Sequence, residues 1–102
     1  MADAPYEIQY SQEAAEDVQA LRAYDQRKIL AAVERHLSHN PTQVSRARIK
    51  QMHQPFWSQY RLRVEDFRVY YDVDDGQRRL SILRVLKKEQ GETPGRLLDE
   101  TD

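Results

Sequence analysis

The segment YRLRVEDFRVYYDV, residues 60–73, carries the pattern from which the architecture can be predicted. Apolar and charged side chains alternate on both sides of Glu65-Asp66, which predicts two antiparallel strands joined by a tight turn. With a symmetric turn, Val64 lies opposite Phe67 and the other apolar residues of both strands share their face. The hairpin therefore has one face for a core and one face for solvent, as is common in antiparallel sheets.

The flanking segments extend this hairpin into an α+β domain. Residues 6–10 read as a strand, and Ser11 suits the N-cap of a first helix with an apolar stripe. A second helix ends before Pro41, and the short connection between the two helices predicts an antiparallel helical hairpin. A short strand near residues 47–51 and the apolar run 80–86 supply the remaining strands. The predicted fold is an N-terminal strand, an antiparallel helical hairpin and then a mainly antiparallel meander sheet.

Length and composition favour one compact domain. The chain has 102 residues, of which 39% are hydrophobic and 32% charged, and it has no cysteine. No apolar run approaches the roughly 20 residues that a transmembrane helix needs, and the N-terminus lacks the basic start and apolar core of a secretory signal. The sequence predicts a cytoplasmic protein with a single domain over residues 1–88 and an acidic, flexible C-terminal tail over residues 89–102.

Charge is distributed unevenly along the chain. The formal net charge is −1, yet residues 46–88 carry eleven Lys and Arg against five Asp and Glu. Residues 1–45 carry four against seven, and residues 89–102 carry one against five. A basic segment between acidic flanks suggests a polyanionic partner. A solvated surface of mixed charge is the alternative.

The predicted register places cations on the solvent face of the hairpin. Arg63 lies across from Arg68, although like charges opposed across two strands cost stability. Arg61 lies across from Tyr70. Guanidinium groups donate paired hydrogen bonds to phosphate, and an exposed tyrosine can stack on a base. This pattern favours a phosphate-binding face, and the alternative is a solvated face whose arginines pair with carboxylates.

The last strand can extend this face. If Leu83 and Val85 face the core, Arg84 joins the other arginines, whereas the opposite parity would bury an unpaired guanidinium. The predicted basic face consists of Arg61, Arg63, Arg68, Arg84 and Lys88, with Tyr70 among them.

Other kinds of site have weaker support in the sequence. His36 and His39 are spaced i, i+3 near a helix end, but no third metal ligand accompanies them. His53 could act as a base, and Phe56 and Trp57 are most simply core or hinge residues. Because Gly-rich phosphate loops and nucleophile motifs are also absent, we predict no metal and no cofactor.

The stretch IKQMHQPFWSQYRLRVEDFRVYYDV and the opening YEIQYSQEAAEDVQAL resemble the RelE/ParE toxin superfamily. The resemblance covers residues 6–88 and implies an antiparallel sheet flanked by a helical hairpin. It also implies the toxin of a type II toxin–antitoxin system, with a cognate antitoxin, the ribosome and mRNA as partners and no membrane. RelE-like members cut mRNA in the ribosomal A site, where the ribose 2′-hydroxyl attacks the adjacent phosphate without a metal.

The resemblance also assigns roles to residues. Arg61 and Arg63 match two basic residues on the catalytic strand of the family, and Arg68 matches an arginine that contacts the scissile phosphate. Lys88 falls where many members have an arginine. The implied catalytic residues are Arg61, Arg63, Arg68 and Lys88. The predicted further RNA-binding residues are Lys50, Tyr70, Arg84 and Lys87.

The C-terminal part departs from the RNA-cleaving pattern. Many RNA-cleaving members carry a histidine or arginine and then a tyrosine near the last strand, whereas no tyrosine or histidine follows Tyr71 here. Lys87 or Lys88 could replace the missing general acid. The ParE branch, which poisons DNA gyrase, also lacks these residues. An endoribonuclease is the prediction, and a ParE-like gyrase inhibitor or a non-catalytic protein-binding homologue is the alternative.

Overall fold

The computed structural model describes residues 4–88 as two helices packed on one face of a five-stranded sheet. The sheet order is β1-β5-β4-β3-β2; β2 to β5 form an antiparallel meander, and β1 pairs in parallel with β5. This arrangement confirms the predicted α+β class. The elements are β1 (Glu7–Tyr10), α1 (Gln12–Gln19), α2 (Ala23–Leu37), β2 (Ile49–Gln51), β3 (Tyr60–Val64), β4 (Phe67–Asp74) and β5 (Arg79–Lys87).

Two predictions concern the end of the chain and its surroundings. The predicted tail over residues 89–102 lies outside the described residues. Within residues 4–88, neither helix is long and apolar enough to cross a membrane.

The β3–β4 hairpin has the register that the alternation predicts. Val64 pairs with Phe67 across a two-residue turn. Glu65, the first turn residue, has a φ of 54°, the left-handed region that tight hairpin turns use and that costs a non-glycine residue energy. Its carboxylate accepts a hydrogen bond of 2.7 Å from Lys28 on α2, which ties the tip of the hairpin to the helix.

The core lies between the two helices and the alternate, helix-facing residues of the meander. Burying each of these aliphatic side chains contributes about 1.5–3 kcal/mol. The hydroxyl of Tyr71 donates to the carbonyl of Pro41 at 2.5 Å, so the polar end of this buried ring is satisfied. The fully buried core residues include Ala14, Ile29, Leu37, Leu62, Val69, Tyr71, Leu80 and Ile82.

A β-bulge in β5 changes the predicted orientation of Leu83, whereas Arg84 and Val85 keep the predicted sides of the sheet. Tyr70 pairs with Arg84 while the next residue of β4 pairs with Ile82, so Leu83 is an extra residue. Ile82 and Val85 consequently both face the core and are buried. The prediction that Leu83 faces the core is wrong, because strict alternation over residues 80–86 cannot accommodate an inserted residue.

Helix α1 and its N-cap residue contact the bulged part of β5 through two side chains. The Ser11 hydroxyl accepts from the N–H of Ala14 at 3.0 Å, which confirms the predicted N-cap, and donates to the carbonyl of Leu83 at 2.9 Å. Further along α1, Asp17 accepts from the N–H of Val85 at 2.9 Å. The bulge and the helix therefore fix each other's position.

We expect Asp17→Ala to lower the free energy of unfolding by about 1.5–3 kcal/mol, because it removes a charged acceptor from a partly buried backbone N–H. Urea denaturation followed by far-UV circular dichroism measures the change. Glu16→Ala is the matched control, because Glu16 is exposed on the same helix and surface substitutions usually stay within about 0.5 kcal/mol. Equal urea midpoints for Asp17→Ala and Glu16→Ala would show that the contacts of Asp17 do not stabilise the fold.

The stability of the fold should also fall in alkaline solution. Burial raises the pKa of Tyr10 to about 12, and Glu34 adds to this rise. The folded state then keeps a proton that the unfolded state releases from about pH 10 upward. Stability contributed by the neutral phenol is present below pH 10 and is lost as the pH rises toward 12.

Tyr10→Phe removes this ionisation, so its unfolding free energy should decline less than that of the wild type between about pH 10 and 12, by about 1–2 kcal/mol. Thermal unfolding across this range is the measurement. Tyr24→Phe is the control, because Tyr24 has an exposed ring. Parallel profiles for the wild type and Tyr10→Phe would refute the expectation.

Candidate nucleic-acid interface

Two rows of cross-strand neighbours form the sheet face that points away from the helices. In the first row, Lys50 lies opposite Arg61, and Arg61 lies opposite Tyr70. In the second row, Arg63 lies directly opposite Arg68, as the sequence predicts. Side chains at such positions are about 4.5–5.5 Å apart at Cβ. We call Lys50, Arg61, Arg63 and Arg68 the basic sheet face.

Part of this face is buried, contrary to the prediction of an exposed one. Arg61 and Arg68 are only 4% and 3% exposed, and Tyr70 is 0% exposed. Tyr70 is covered because the segment between β2 and β3 folds over it: the rings of Trp57 and Phe56 lie 4.5 Å and 6.0 Å from its ring. The prediction that Tyr70 is an exposed stacking residue is therefore wrong, whereas Arg63 remains partly exposed.

The Arg68 side chain curls back onto its own hairpin. Its Nη1 donates to the carbonyl of Glu65 at 3.0 Å and to the carbonyl of Phe67 at 3.1 Å. These bonds fix the guanidinium beside the turn. A cation held in place by its own backbone needs little reorganisation to meet an anion.

Arg84 is engaged elsewhere. It lies opposite Tyr70 in the register, but its Nε and Nη2 donate to the two carboxylate oxygens of Asp17 at 2.8 and 3.0 Å. This hydrogen-bonded partner raises the pKa of Arg84 above its ordinary value. The register therefore places Arg84 on the predicted face, but its guanidinium is bound to the carboxylate of Asp17.

The two predicted lysines lie at the end of β5. Lys87 pairs with Phe67, which faces the core, so Lys87 belongs to the helix side of the sheet. Lys88 follows the strand, and its N–H donates to the carbonyl of Asp66 at 2.9 Å. The structure thus brings the backbone of Lys88 to the hairpin turn, near the Arg68 end of the basic sheet face.

A second basic surface surrounds the edge strand β2. Three open cavities of about 210, 270 and 270 Å³ share Arg48 in their linings, and Arg63 lines two of them. Arg35 and His36 of α2 also line two. Burial lowers the pKa of His36, and the charges of Arg48 and Arg35 lower it further. Arg63 therefore connects the basic sheet face to this edge.

Sequence reasoning missed most of this edge surface, although it carried a signal. Arg46, Arg48 and Lys50 occupy every second position on the approach to β2. Among the described residues that line the three cavities, the one carboxylate is Glu65, which binds Lys28. The alternation of cations could have predicted a basic edge, but the contribution of α2 required the tertiary structure.

Comparison with known proteins identifies relatives of the sequence and of the fold. The family model described as ParE toxin of type II toxin-antitoxin system, parDE, matches residues 8–91. This match includes all of β1 except Glu7, both helices and the whole meander. No curated protein sequence matches significantly.

Solved structures share the fold at low sequence identity. The toxin–antitoxin complex RelBE2 from Mycobacterium tuberculosis matches with a TM-score of 0.71 and 23% identity over 81% of this chain and 98% of that chain. The archaeal RelE–RelB complex from Pyrococcus horikoshii OT3 matches with a TM-score of 0.66 and 20% identity over 81% and 94%. The RelB–RelE complex from Methanococcus jannaschii matches with a TM-score of 0.57 and 17% identity over 80% and 92%.

The different surroundings of the two paired arginines predict different effects on stability. Arg68→Ala should lower the free energy of unfolding by about 1–3 kcal/mol, because it removes a buried side chain and its bonds to two carbonyls. Arg63→Ala should change it by no more than about 0.5 kcal/mol, as is usual for partly exposed positions. Urea denaturation of both variants tests this, and a larger loss for Arg63→Ala would show that the two roles are reversed.

Proposed function

The chain belongs to the ParE toxin family of type II toxin–antitoxin systems, and we propose that it arrests growth as a ribosome-dependent endoribonuclease of the cytoplasm. One observation carries this proposal: Arg63 lies directly opposite Arg68, with Arg61 beside them on the same sheet face. Arginine is well suited to bind phosphate, because its guanidinium donates two parallel hydrogen bonds and stays charged at any working pH.

The proposed reaction is cleavage of a phosphodiester bond without a metal. The ribose 2′-hydroxyl gives its proton to water as its oxygen attacks the adjacent phosphorus, and the bond to the 5′-oxygen breaks as that oxygen takes up a proton. The products are a cyclic phosphate and a free 5′-hydroxyl. Negative charge grows on the phosphoryl oxygens in the transition state, where positioned cations stabilise it.

Each cation receives a distinct role in this proposal. Arg68, fixed by the carbonyls of its hairpin, is the stationary contact for the scissile phosphate. Arg63, which is more exposed, binds the phosphate backbone of the incoming RNA. Arg61 adds a further positive charge that stabilises the same phosphate. Lys88, whose backbone binds the hairpin turn, is the candidate donor of the proton to the leaving 5′-oxygen. Lys50 extends the RNA contact toward the β2 edge.

We also propose that a cognate antitoxin restrains the chain. The structures of similar fold from Mycobacterium tuberculosis and Pyrococcus horikoshii are complexes of a toxin with its antitoxin. In this chain, Tyr24 and Leu30 expose 58% and 43% of their surface on α2. Exposed apolar side chains on a helix suit an amphipathic partner segment that orders on binding.

Inhibition of DNA gyrase by binding is the second candidate. Two observations favour it over cleavage: Arg61 and Arg68 are almost fully buried, and no tyrosine or histidine follows Tyr71 in the sequence. A binding toxin needs no general acid. This candidate predicts DNA breaks and an SOS response while messages stay intact.

Induction of the chain followed by mapping of RNA 5′ ends separates the two candidates. The proposal predicts growth arrest and new ends within translated codons, and coexpression of the antitoxin should restore growth. Arg63→Ala should reduce cleavage by about 10²-fold, the loss typical of removing one donor that stabilises a transition state. Growth arrest without new RNA ends would refute cleavage and, with an SOS response, favour gyrase.

Arg79→Ala is the matched control for this experiment. Arg79 is an exposed arginine at the start of β5, paired with Glu7 at 3.4 Å. Its loss removes the same charge from the protein as Arg63→Ala. Equal loss of cleavage in both variants would mean that overall charge, not the basic sheet face, determines activity.

A further inference from the structure

Trp57 presents its ring to solvent from the outside of an aromatic stack. Its side chain is 38% exposed, whereas Tyr70 beneath it is fully buried. The two ring centroids are 4.5 Å apart, and Phe56 stacks on Trp57 at 5.1 Å with 24° between the ring planes. Trp57 is therefore more exposed than a core residue, and its neighbours fix the orientation of its ring.

An open cavity of about 360 Å³ adjoins this ring. Leu83 and Leu86 of β5 also line it, so its walls are largely apolar. The volume is within the range of about 300–1,000 Å³ that small-molecule sites occupy. A flat aromatic ligand could lie on Trp57 between these leucines.

The charges around the cavity favour a neutral base over a phosphate. Arg84 lines the cavity, but its guanidinium is neutralised by Asp17 at 2.8 Å. Glu13 supplies a carboxylate at the rim, which repels phosphate and can accept hydrogen bonds from an exocyclic amino group. The hydroxyl of Ser11 is already committed to the backbone. The cavity therefore offers a stacking surface and an acceptor for amino groups.

The cavity is contiguous with the basic sheet face. Tyr70, which supports Trp57, lies directly opposite Arg61 in the sheet. Leu86, which lines the cavity, lies directly opposite Arg68. One or two sheet positions, about 5–10 Å, separate the stacking surface from the arginines. A single strand whose phosphate meets the arginines can therefore place a base on Trp57.

We infer that Trp57 is the stacking platform for one unpaired nucleobase of the bound RNA, with an amino-bearing base preferred because of Glu13. The inference rests on the proposed action on RNA and names a contact to the base, whereas the arginines contact only phosphate. Stacking of a base on an aromatic side chain contributes about 1–3 kcal/mol. Loss of the ring should therefore weaken binding by about 5- to 150-fold.

The chain contains one tryptophan, so fluorescence excited selectively at tryptophan, where the tyrosines do not absorb, reports on this site alone. The purified full chain is titrated with a short single-stranded oligoribonucleotide and, separately, with a strand of equal length that has sugars and phosphates but no bases. We expect the first to quench Trp57 fluorescence and the second to bind without quenching. Trp57→Ala should weaken binding of the first strand, measured by anisotropy of a labelled strand, and leave binding of the second unchanged. Trp57→Phe should retain most of the affinity.

The possible outcomes separate this inference from the proposed function. If the base-containing strand binds without quenching, or binds Trp57→Ala and wild type equally, the stacking site is wrong while phosphate binding stands. If neither strand binds, the inference fails, while the mapping of RNA 5′ ends on translated messages decides the proposed ribosome-dependent cleavage. Quenching by an apolar antitoxin segment but not by RNA would overturn the inference in favour of a protein-docking pocket. Because quenching is measured on the wild type, a variant that fails to fold leaves the test intact.

Discussion

The carboxylate of Asp17 binds the guanidinium of Arg84 and the backbone N–H of Val85 where β5 carries its extra residue. Pairing between β1 and β5 ends at Ile82, and beyond it a side chain from α1 supplies the acceptor for the N–H of Val85. The bulge in turn allows Ile82 and Val85 to face the core together. These few contacts therefore determine the position of α1, the packing of the core at β5 and the orientation of the Arg84 side chain.

The basic sheet face combines rigidity with limited access. The β3–β4 hairpin opposes two arginines in a fixed register, and Arg68 is tied to backbone carbonyls of its own turn. The segment between β2 and β3 covers the neighbouring Tyr70 with the rings of Phe56 and Trp57. Among its arginines Arg63 is the partly exposed one, and at Arg63 the face continues into the basic β2 edge.

The sequence predicted those parts of the structure that a local repeat determines. The register of the β3–β4 hairpin was predicted correctly at every residue, because the alternation and a two-residue turn allow only one pairing of Val64 with Phe67. The bulge at Leu83 could not be predicted, because residues 80–86 are mostly apolar and do not reveal an inserted residue. The cover over Tyr70 was equally hidden, because an irregular segment has no period and Trp57 looks the same in a core as on a surface. The family pattern indicated which arginines to consider but not how deeply they are buried.

The edge strand β2 affects whether copies of the chain associate at high concentration. An unpaired strand at the edge of a sheet can template edge-to-edge association between copies. Here that strand is only three residues long, and cationic residues stand at Arg48, immediately before it, and at Lys50 within it. Short length and repulsion between identical charged edges both disfavour β-aggregation. The same cations that are suited to attract a nucleic acid thus also keep neighbouring copies of the chain apart.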